Sequence, residues 1–337
     1  MLRPKISVIM AVYNAEKYLV QSIDAMLNQS FKNFEFIIIN DHSSDASLAI
    51  LHQFRKKDPR ILVLNNKKRL YPAGARNRGL RIARGDYIAI QDADDISLPQ
   101  RLEKQCHFMD SHTSIFLLGT RAIIIDRFGR KVNSVEPAIE EEKLRKDLTN
   151  ANALCHSSMM FRNTGDYFYR RKMRYAHDYD LYLRMLSDGK KILCIPDYLV
   201  VYRLTPRSIS QAHMIKQILF SERAKKFYKQ RERYGDDHYD QFNSKAFLTR
   251  STHLSMPMEK MVLESCITKS FTINECNNTK HFLRKYFQNY GFLNKYLLYG
   301  ILVNLPIALI KLIRSTKHFF KSTLRRGLSC LVVFNLK

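Results

Sequence analysis

The sequence predicts an α/β protein: a Rossmann-like, mostly parallel sheet with helices on both faces, followed by a basic helical C-terminal region. Three observations carry this expectation. Over the first 95 residues, apolar runs of strand length alternate with stretches of helical periodicity. Polar and acidic residues cluster just past three of those strand runs, at Tyr13-Asn14, at Asn40-Asp41-His42-Ser43-Ser44-Asp45, and from Gln91 through Asp95. From Cys276 to the end at Lys337 there is no Asp or Glu, while lysines and arginines punctuate apolar runs.

Residues 6–12 form a β-rich apolar run, and between 16 and 28 Leu19, Ile23, Met26 and Leu27 fall on one helical face. Residues 34–39 read as a second buried strand, and Ser43 or Ser44 is placed to cap a helix running to about Lys57. A third strand at 61–64, a third helix at 73–84 and a fourth strand at 87–90 complete the alternation. Such alternation argues for crossover connections and parallel strands. Ligands of parallel sheets sit at the carboxyl ends of the strands, where the three polar clusters fall. Beyond Pro99 the pattern gives a helix to about Ser111, strand-like segments at 116–119 and 122–125, and a turn at Phe128-Gly129-Arg130. Another strand is expected at 156–161, a helix at 179–186 and a strand at 192–195, and past about Gln211 the chain turns helical and basic.

At 337 residues the chain exceeds the usual single-domain size. The expected division is 1–210, with halves 1–98 and 99–210, followed by 211–337. Hydrophobic content of 45% against 26% charged residues is globular, not disordered. A formal net charge of +25 implies an anionic partner: nucleic acid, an acidic membrane leaflet or phosphorylated substrates. The six cysteines lack the close paired spacings of a zinc site or disulfide framework, which favours reduced thiols. Arg3 and Lys5 precede an apolar run too short for a secretory signal and without a cleavage site, so the run is read as a strand.

Asp92-Ala93-Asp94-Asp95 follows a fully apolar strand, which spends its length delivering carboxylates to a sheet edge. Hard cations and phosphates are handled at such edges, and a metal-bound diphosphate suits this one. Asp41 also stands at a strand end, where its carboxylate could accept the N3 proton of uracil or cap the next helix with Asp45 in the first turn. A dinucleotide-dependent dehydrogenase is disfavoured, since Val12-Tyr13-Asn14-Ala15 replaces the required glycine-rich turn.

In order and spacing, Ser7-Val8-Ile9-Met10-Ala11-Val12-Tyr13-Asn14, the cluster from Asn40 to Asp45, Gly74-Ala75-Arg76-Asn77-Arg78-Gly79 and Asp92-Ala93-Asp94-Asp95 resemble glycosyltransferase family 2. His177-Asp178-Tyr179-Asp180-Leu181-Tyr182-Leu183-Arg184, with Tyr202-Arg203 and Ser208-Ile209-Ser210, looks like the acceptor half of the same GT-A fold. The resemblance covers roughly residues 4 to 210. It implies an inverting transferase with Mn²⁺ or Mg²⁺ as cofactor, held by Asp94 directly, with Asp92 on the ribose or a metal-bound water. It places Val12, Tyr13, Asn14, Asp41, Arg76 and Ala93 in the nucleotide-sugar site beside those aspartates, with Tyr13 near the base or simply packed, and Arg76 bridging nucleotide and carboxylates or belonging to a helix start. Inverting transfer needs a base for the acceptor hydroxyl, and the resemblance gives that role to Asp178. Asp180 is the fallback, although two residues along a helix start it should point elsewhere. Residues 156–161 resemble a strand beneath the acceptor pocket and are expected only to line it. Two positions depart from the family pattern. His177 stands where relatives often carry Glu, and Thr205 where they commonly carry a His that can approach the metal, which leaves coordination to Asp94, phosphate oxygens and water, or to another histidine such as His213.

Residues 296–313 sit at the short margin for a membrane span and, with flanking cations and aromatics, read better as an in-plane amphipathic segment on an anionic leaflet. The resulting expectation is a UDP-sugar donor, a glycan or lipid-linked saccharide acceptor, and an enzyme of bacterial surface polysaccharide or lipopolysaccharide assembly. It would be cytoplasmic and peripheral at the inner face of the plasma membrane. A member retained for assembly rather than catalysis is the alternative. A nucleic-acid-binding protein is disfavoured because no recognition motif accompanies the charge.

Overall fold

The computed structural model describes residues 3–205, 212–250, 256–272 and 276–290, and it divides into two compact units, Met1–Thr249 and Arg250–Lys337. The first unit opens with β1 (Ile6–Val12), α1 (Glu16–Leu27), β2 (Phe34–Asn40), α2 (Ser47–Lys57), β3 (Ile61–Asn65), α3 (Tyr71–Leu80) and β4 (Tyr87–Asp92). It continues through β5 (Ile96–Ser97), α4 (Arg101–Ser111), β6 (Ile115–Ile125), β7 (Lys131–Val135), α5 (Glu141–Asn150), β8 (Met160–Arg162), α6 (His177–Ser187) and β9 (Lys191–Arg203), and ends with α7 (Met214–Tyr234) and α8 (Ser244–Arg250). The strands form one nine-stranded sheet in the order β3-β2-β1-β4-β8-β6-β9-β5, with β7 paired to β6. β1 is parallel to β2 and β4, and β2 to β3, whereas β8 runs antiparallel to β4 and β6.

Alternation along β1 explains the layering. Ile6, Val8, Met10 and Val12 face one core with Leu19, Ile23 and Met26 of α1, Leu51 of α2 and Leu102 of α4. Ile9, with Ile37 and Ile39 of β2, faces the other core with Ala73 and Ala75 of α3, Tyr179, Leu183 and Leu186 of α6, and Phe220, Ala224 and Phe227 of α7. A strand buried on both faces must be apolar at nearly every position, which is why these runs stand out in sequence. The expected doubly covered sheet is therefore the observed one.

Several segments differ from expectation. Helix α2 starts at Ser47 rather than beside Ser43 or Ser44, because those residues bond the loop after β1: Asn14 N donates to Ser43 Oγ (3.1 Å) and Ser44 N to Asn14 Oδ1 (2.8 Å). Segments 116–119 and 122–125 are one continuous strand, β6, whose register against β9 shifts near Arg121. The run 156–161 is split, with a 3₁₀ turn at His156–Ser158 before the short β8. Helix α7, beyond the expected boundary at 210, contributes to the first unit's core.

In the second unit, α9 (Met256–Thr272) and α10 (Cys276–Tyr290) pair antiparallel: Ser270 Oγ lies 2.9 Å from Thr279 Oγ1, and Tyr286 OH donates to Glu264 Oε1 at 3.1 Å. The segment 296–313 and the rest of the cationic tail lie outside the described residues. Among the described residues, no helix is long and apolar enough to cross a membrane.

Candidate active site

Sheet register brings the polar strand ends to one rim. Val12 lies opposite Asn40, and Ala11 opposite Asp92, so the tips of β1, β2 and β4 are level. Val12 O accepts a hydrogen bond from Asp41 N (2.7 Å), which fixes the spacing of the first two tips.

Asp92 ends β4 and turns its carboxylate toward α3 and the 3₁₀ turn. Arg76 Nη2 donates to Oδ1 at 2.5 Å, and His156 Nδ1 faces Oδ2 at 3.4 Å. Burial alone would raise this carboxyl's pKa, but the charges of Arg76 and His156 outweigh it and hold the group far below the usual carboxylate range. Asp94 has the opposite fate. Burial and the neighbouring Asp92 push it up to about 7. Asp95 is fully buried and serves as an anchor, accepting from Ser157 Oγ (2.5 Å) and Arg203 N (2.9 Å). Ala93, also buried, separates the two carboxylates.

Behind Asp92 lies a ring of aromatic and basic groups. Arg76 Nη1 sits 2.8 Å from His177 Nε2. A guanidinium can only donate, so Nε2 accepts and the imidazole proton resides on Nδ1. Burial, and then Arg76, drives the His177 pKa down to about 3, which keeps this ring neutral. His156 Nε2 is 2.9 Å from Tyr169 OH, and the rings of His156, Tyr169 and His177 meet edge to face.

Asp178 follows His177 in the first turn of α6, half-buried, and accepts from Asn152 Nδ2 at 2.9 Å. Its charge is felt at Arg76, Tyr169 and His177, so it belongs to the same electrostatic cluster as Asp92. Asp180 does not. It is completely buried, 3.3 Å from Arg184 Nε and 3.8 Å from Arg170 Nη1, where it holds α6 to its surroundings.

At the end of β2, Asp41 is buried and its Oδ1 accepts from Asn66 Nδ2 and from Leu70 N, both at 2.7 Å. It caps no helix: Asp45 accepts from Ser47 N at the start of α2 (3.0 Å) and from Glu16 N at the start of α1 (3.1 Å). Tyr13 is 41% exposed, with the Arg69 guanidinium stacked 3.6 Å from its ring centroid. Asn14 sits at φ 49°, and its side chain is spent on the Ser44 amide.

Among the described residues, no group of three or more His, Cys, Asp or Glu is arranged to hold a metal. His213 is exposed, with its ring edge-on to Tyr175 at 5.3 Å, and it joins no such group. The rim nonetheless fits Mg²⁺ or Mn²⁺, which bind through one or two carboxylates plus substrate phosphates and retained waters. Burial and the neighbouring Asp92 outweigh the charges of Arg203 and Arg76 on Asp94, so this carboxylate is under-compensated and suited to a cation.

Sequence reasoning did not assign His156 a partner, and it passed over Tyr169, Asn66 and Arg69. The polar His156-Ser157-Ser158 run at a strand start was the one available signal. Tyr169, Asn66 and Arg69 sit in no motif.

This mixed sheet with an acidic turn at its rim defines a GT-A glycosyltransferase, and comparison with known proteins agrees. The mannosyltransferase PcManGT from Pyrobaculum calidifontis, solved in complex with GDP-Man and Mn²⁺, superposes with a TM-score of 0.54 at 15% identity, covering 84% of this chain and 85% of that one. A model described as glycosyl transferase family 2 matches residues 7–169. An uncharacterized glycosyltransferase of Methanocaldococcus jannaschii is 35% identical over 65% of this chain and 77% of its own length. The Escherichia coli UDP-Glc:α-D-GlcNAc-diphosphoundecaprenol β-1,3-glucosyltransferase WfaP is 31% identical over 64% of this chain and 82% of its own. The chain belongs to glycosyltransferase family 2.

Proposed function

We propose that the protein is a metal-dependent inverting glycosyltransferase that moves a sugar from a UDP-sugar to a glycan or lipid-linked saccharide acceptor, in bacterial surface polysaccharide or lipopolysaccharide biosynthesis. The carrying observation is the unequal pair at the end of β4. Asp92 is ion-paired with Arg76 and faces His156 Nδ1, while among the described residues Asp94 at the same rim forms no ion pair, and burial with the neighbouring Asp92 outweighs the charges of Arg203 and Arg76 on it. Asp94, with Asp92, would hold Mn²⁺ or Mg²⁺, which supplies Lewis-acid stabilisation of the diphosphate leaving group. Arg76 fixes Asp92 and adds positive charge beside the phosphates. Asp178, whose charge is felt at Arg76, takes the proton from the attacking acceptor hydroxyl. Asp41 accepts from the base, with Val12, Tyr13, Asn14 and Ala93 shaping the nucleotide side.

The relative WfaP supports a UDP donor and a diphosphate-lipid acceptor, as its name states. The acid-free cationic stretch from Cys276 onward supports peripheral docking at an anionic cytoplasmic leaflet. A hydrolysis screen across UDP-, GDP- and dTDP-sugars, with and without Mn²⁺, tests this reading. Turnover of a UDP-sugar that requires the cation is expected, and turnover indifferent to the cation rejects it.

A further inference from the structure

A second feature lies beside the aspartate turn and shares no lining residue with the Arg76–His177 cluster. An open groove of about 560 Å³ runs between the N-terminal half of α1 and the β6–β7 hairpin, within the range of about 300–1,000 Å³ typical of ligand sites. Lys17 and Tyr18 of α1 form one wall, Arg127 and Phe128 at the hairpin turn form the other, and Ile96 and Arg203 lie at the base.

Its charge is one-sided. Three of the described lining residues are cationic and none is acidic. The hairpin's own carboxylate, Asp126, is already paired with Arg130 at 2.9 Å. Apolar surface stands beside the cations: Phe128 is 66% exposed, with Arg127 4.6 Å and Arg130 5.1 Å from its ring centroid. Arg203 links the groove to the chemistry, because its Nε donates to the Asp94 carbonyl at 3.1 Å while its Nη2 donates to Gln21 Oε1 at 2.7 Å. An anion bound here would be next to the turn that carries Asp94 without competing for its carboxylate.

We infer that this groove binds the diphosphate of a prenyl-diphosphate-linked acceptor, with Lys17 and Arg127 on the phosphates and Phe128 against the first isoprene units. The inference rests on the glycosyltransferase reading and names the acceptor class within it. Charge complementarity selects a diphosphate over a neutral glycan. The exposed aromatic beside the cations selects an anion that carries an apolar tail.

The test uses the full chain and the double variant Lys17→Gln/Arg127→Gln, both exposed positions, with folding checked by circular dichroism. In EDTA, calorimetry should find farnesyl diphosphate bound by the wild type and farnesol not, with affinity falling about tenfold or more in the double variant and unchanged in Asp94→Asn. Equal affinity in wild type and double variant, or equal binding of farnesol, overturns the inference. A loss in Asp94→Asn places the probe in the donor site and overturns it too. With a UDP-sugar, the double variant should raise KM for a prenyl-diphosphate saccharide by a similar factor. Its kcat, its donor KM and its KM for the same saccharide on an octyl aglycone should not move. If the variant instead loses adhesion to phosphatidylglycerol vesicles and keeps its acceptor KM, the hairpin is a membrane contact and the inference fails. If the wild type turns over no UDP-sugar, the functional reading fails, and the calorimetric arm still decides the groove.

Discussion

Asp178 and Asp180 lie two residues apart on α6, and their surroundings separate them. The first is half-buried with one amide partner, and the second is sealed among arginines. Asp178→Asn should lower kcat by about 10²- to 10⁴-fold and leave UDP binding intact, measured by single-turnover transfer beside calorimetry. Asp180→Asn should leave a charge imbalance in the interior, lower the urea midpoint and spare kcat per folded molecule. Asp94 makes a prediction about pH. Its carboxyl titrates near 7 in the fold against an ordinary 3.8, so the folded chain keeps a proton that the unfolded chain releases. Its contribution is therefore destabilising as pH rises through that window. His177, lowered to about 3, acts in the opposite direction, so the Asp94 effect is read as a difference: without divalent cations, the Tm of the wild type relative to Asp94→Asn should fall from about pH 4 to 7. Mn²⁺ should shrink that difference at the upper end.

At the scale of elements, β1 and β2 could be read to within a residue because burial on both faces leaves an unbroken apolar run. The aspartate turn was equally legible as the end of an apolar strand, but not that Asp95 turns into the interior while Asp92 and Asp94 stay partly exposed. What could not be read was pairing across distance. Arg76 meets His177 from 101 positions away, and Asp92 meets His156 from 64, and neither separation leaves a local pattern. Ser43 and Ser44 resemble helix caps in isolation, and only the proximity of Asn14 diverts them. Packing at the opposite edge of the sheet is tight enough to test. A Cβ on Gly85 would lie 2.4 Å from Ser7 N and 2.6 Å from the Ile6 carbonyl carbon, backbone atoms that cannot swing aside. Gly85→Ala should therefore cost about 1–3 kcal/mol or more in urea unfolding, without changing the KM for donor in the folded fraction.

Over the whole molecule, the first unit runs to Thr249 because α7 inserts Phe220, Ala224 and Phe227 into the core beside α6. Cutting near residue 210 would expose that surface, whereas a chain ending at Thr249 keeps it covered. Flotation on phosphatidylglycerol liposomes should recover the full chain and lose the 1–249 chain, while both hydrolyse donor at similar rates. Equal flotation of the two would remove the tail from any role in membrane docking.

Arg101 is buried without a carboxylate partner, and its guanidinium donates to the carbonyls of Ile90 (2.9 Å) and Met159 (3.1 Å), to Ser97 Oγ (2.9 Å) and to Gln91 Oε1 (3.2 Å). The aspartate turn is thus riveted to the sheet's interior instead of hanging from a flexible arm. A mouth fastened in this way keeps its shape between successive cargoes. Deuterium should enter the amides of Asp92 and Asp95 as slowly as it enters those of Ile88 and Ile90, with or without nucleotide.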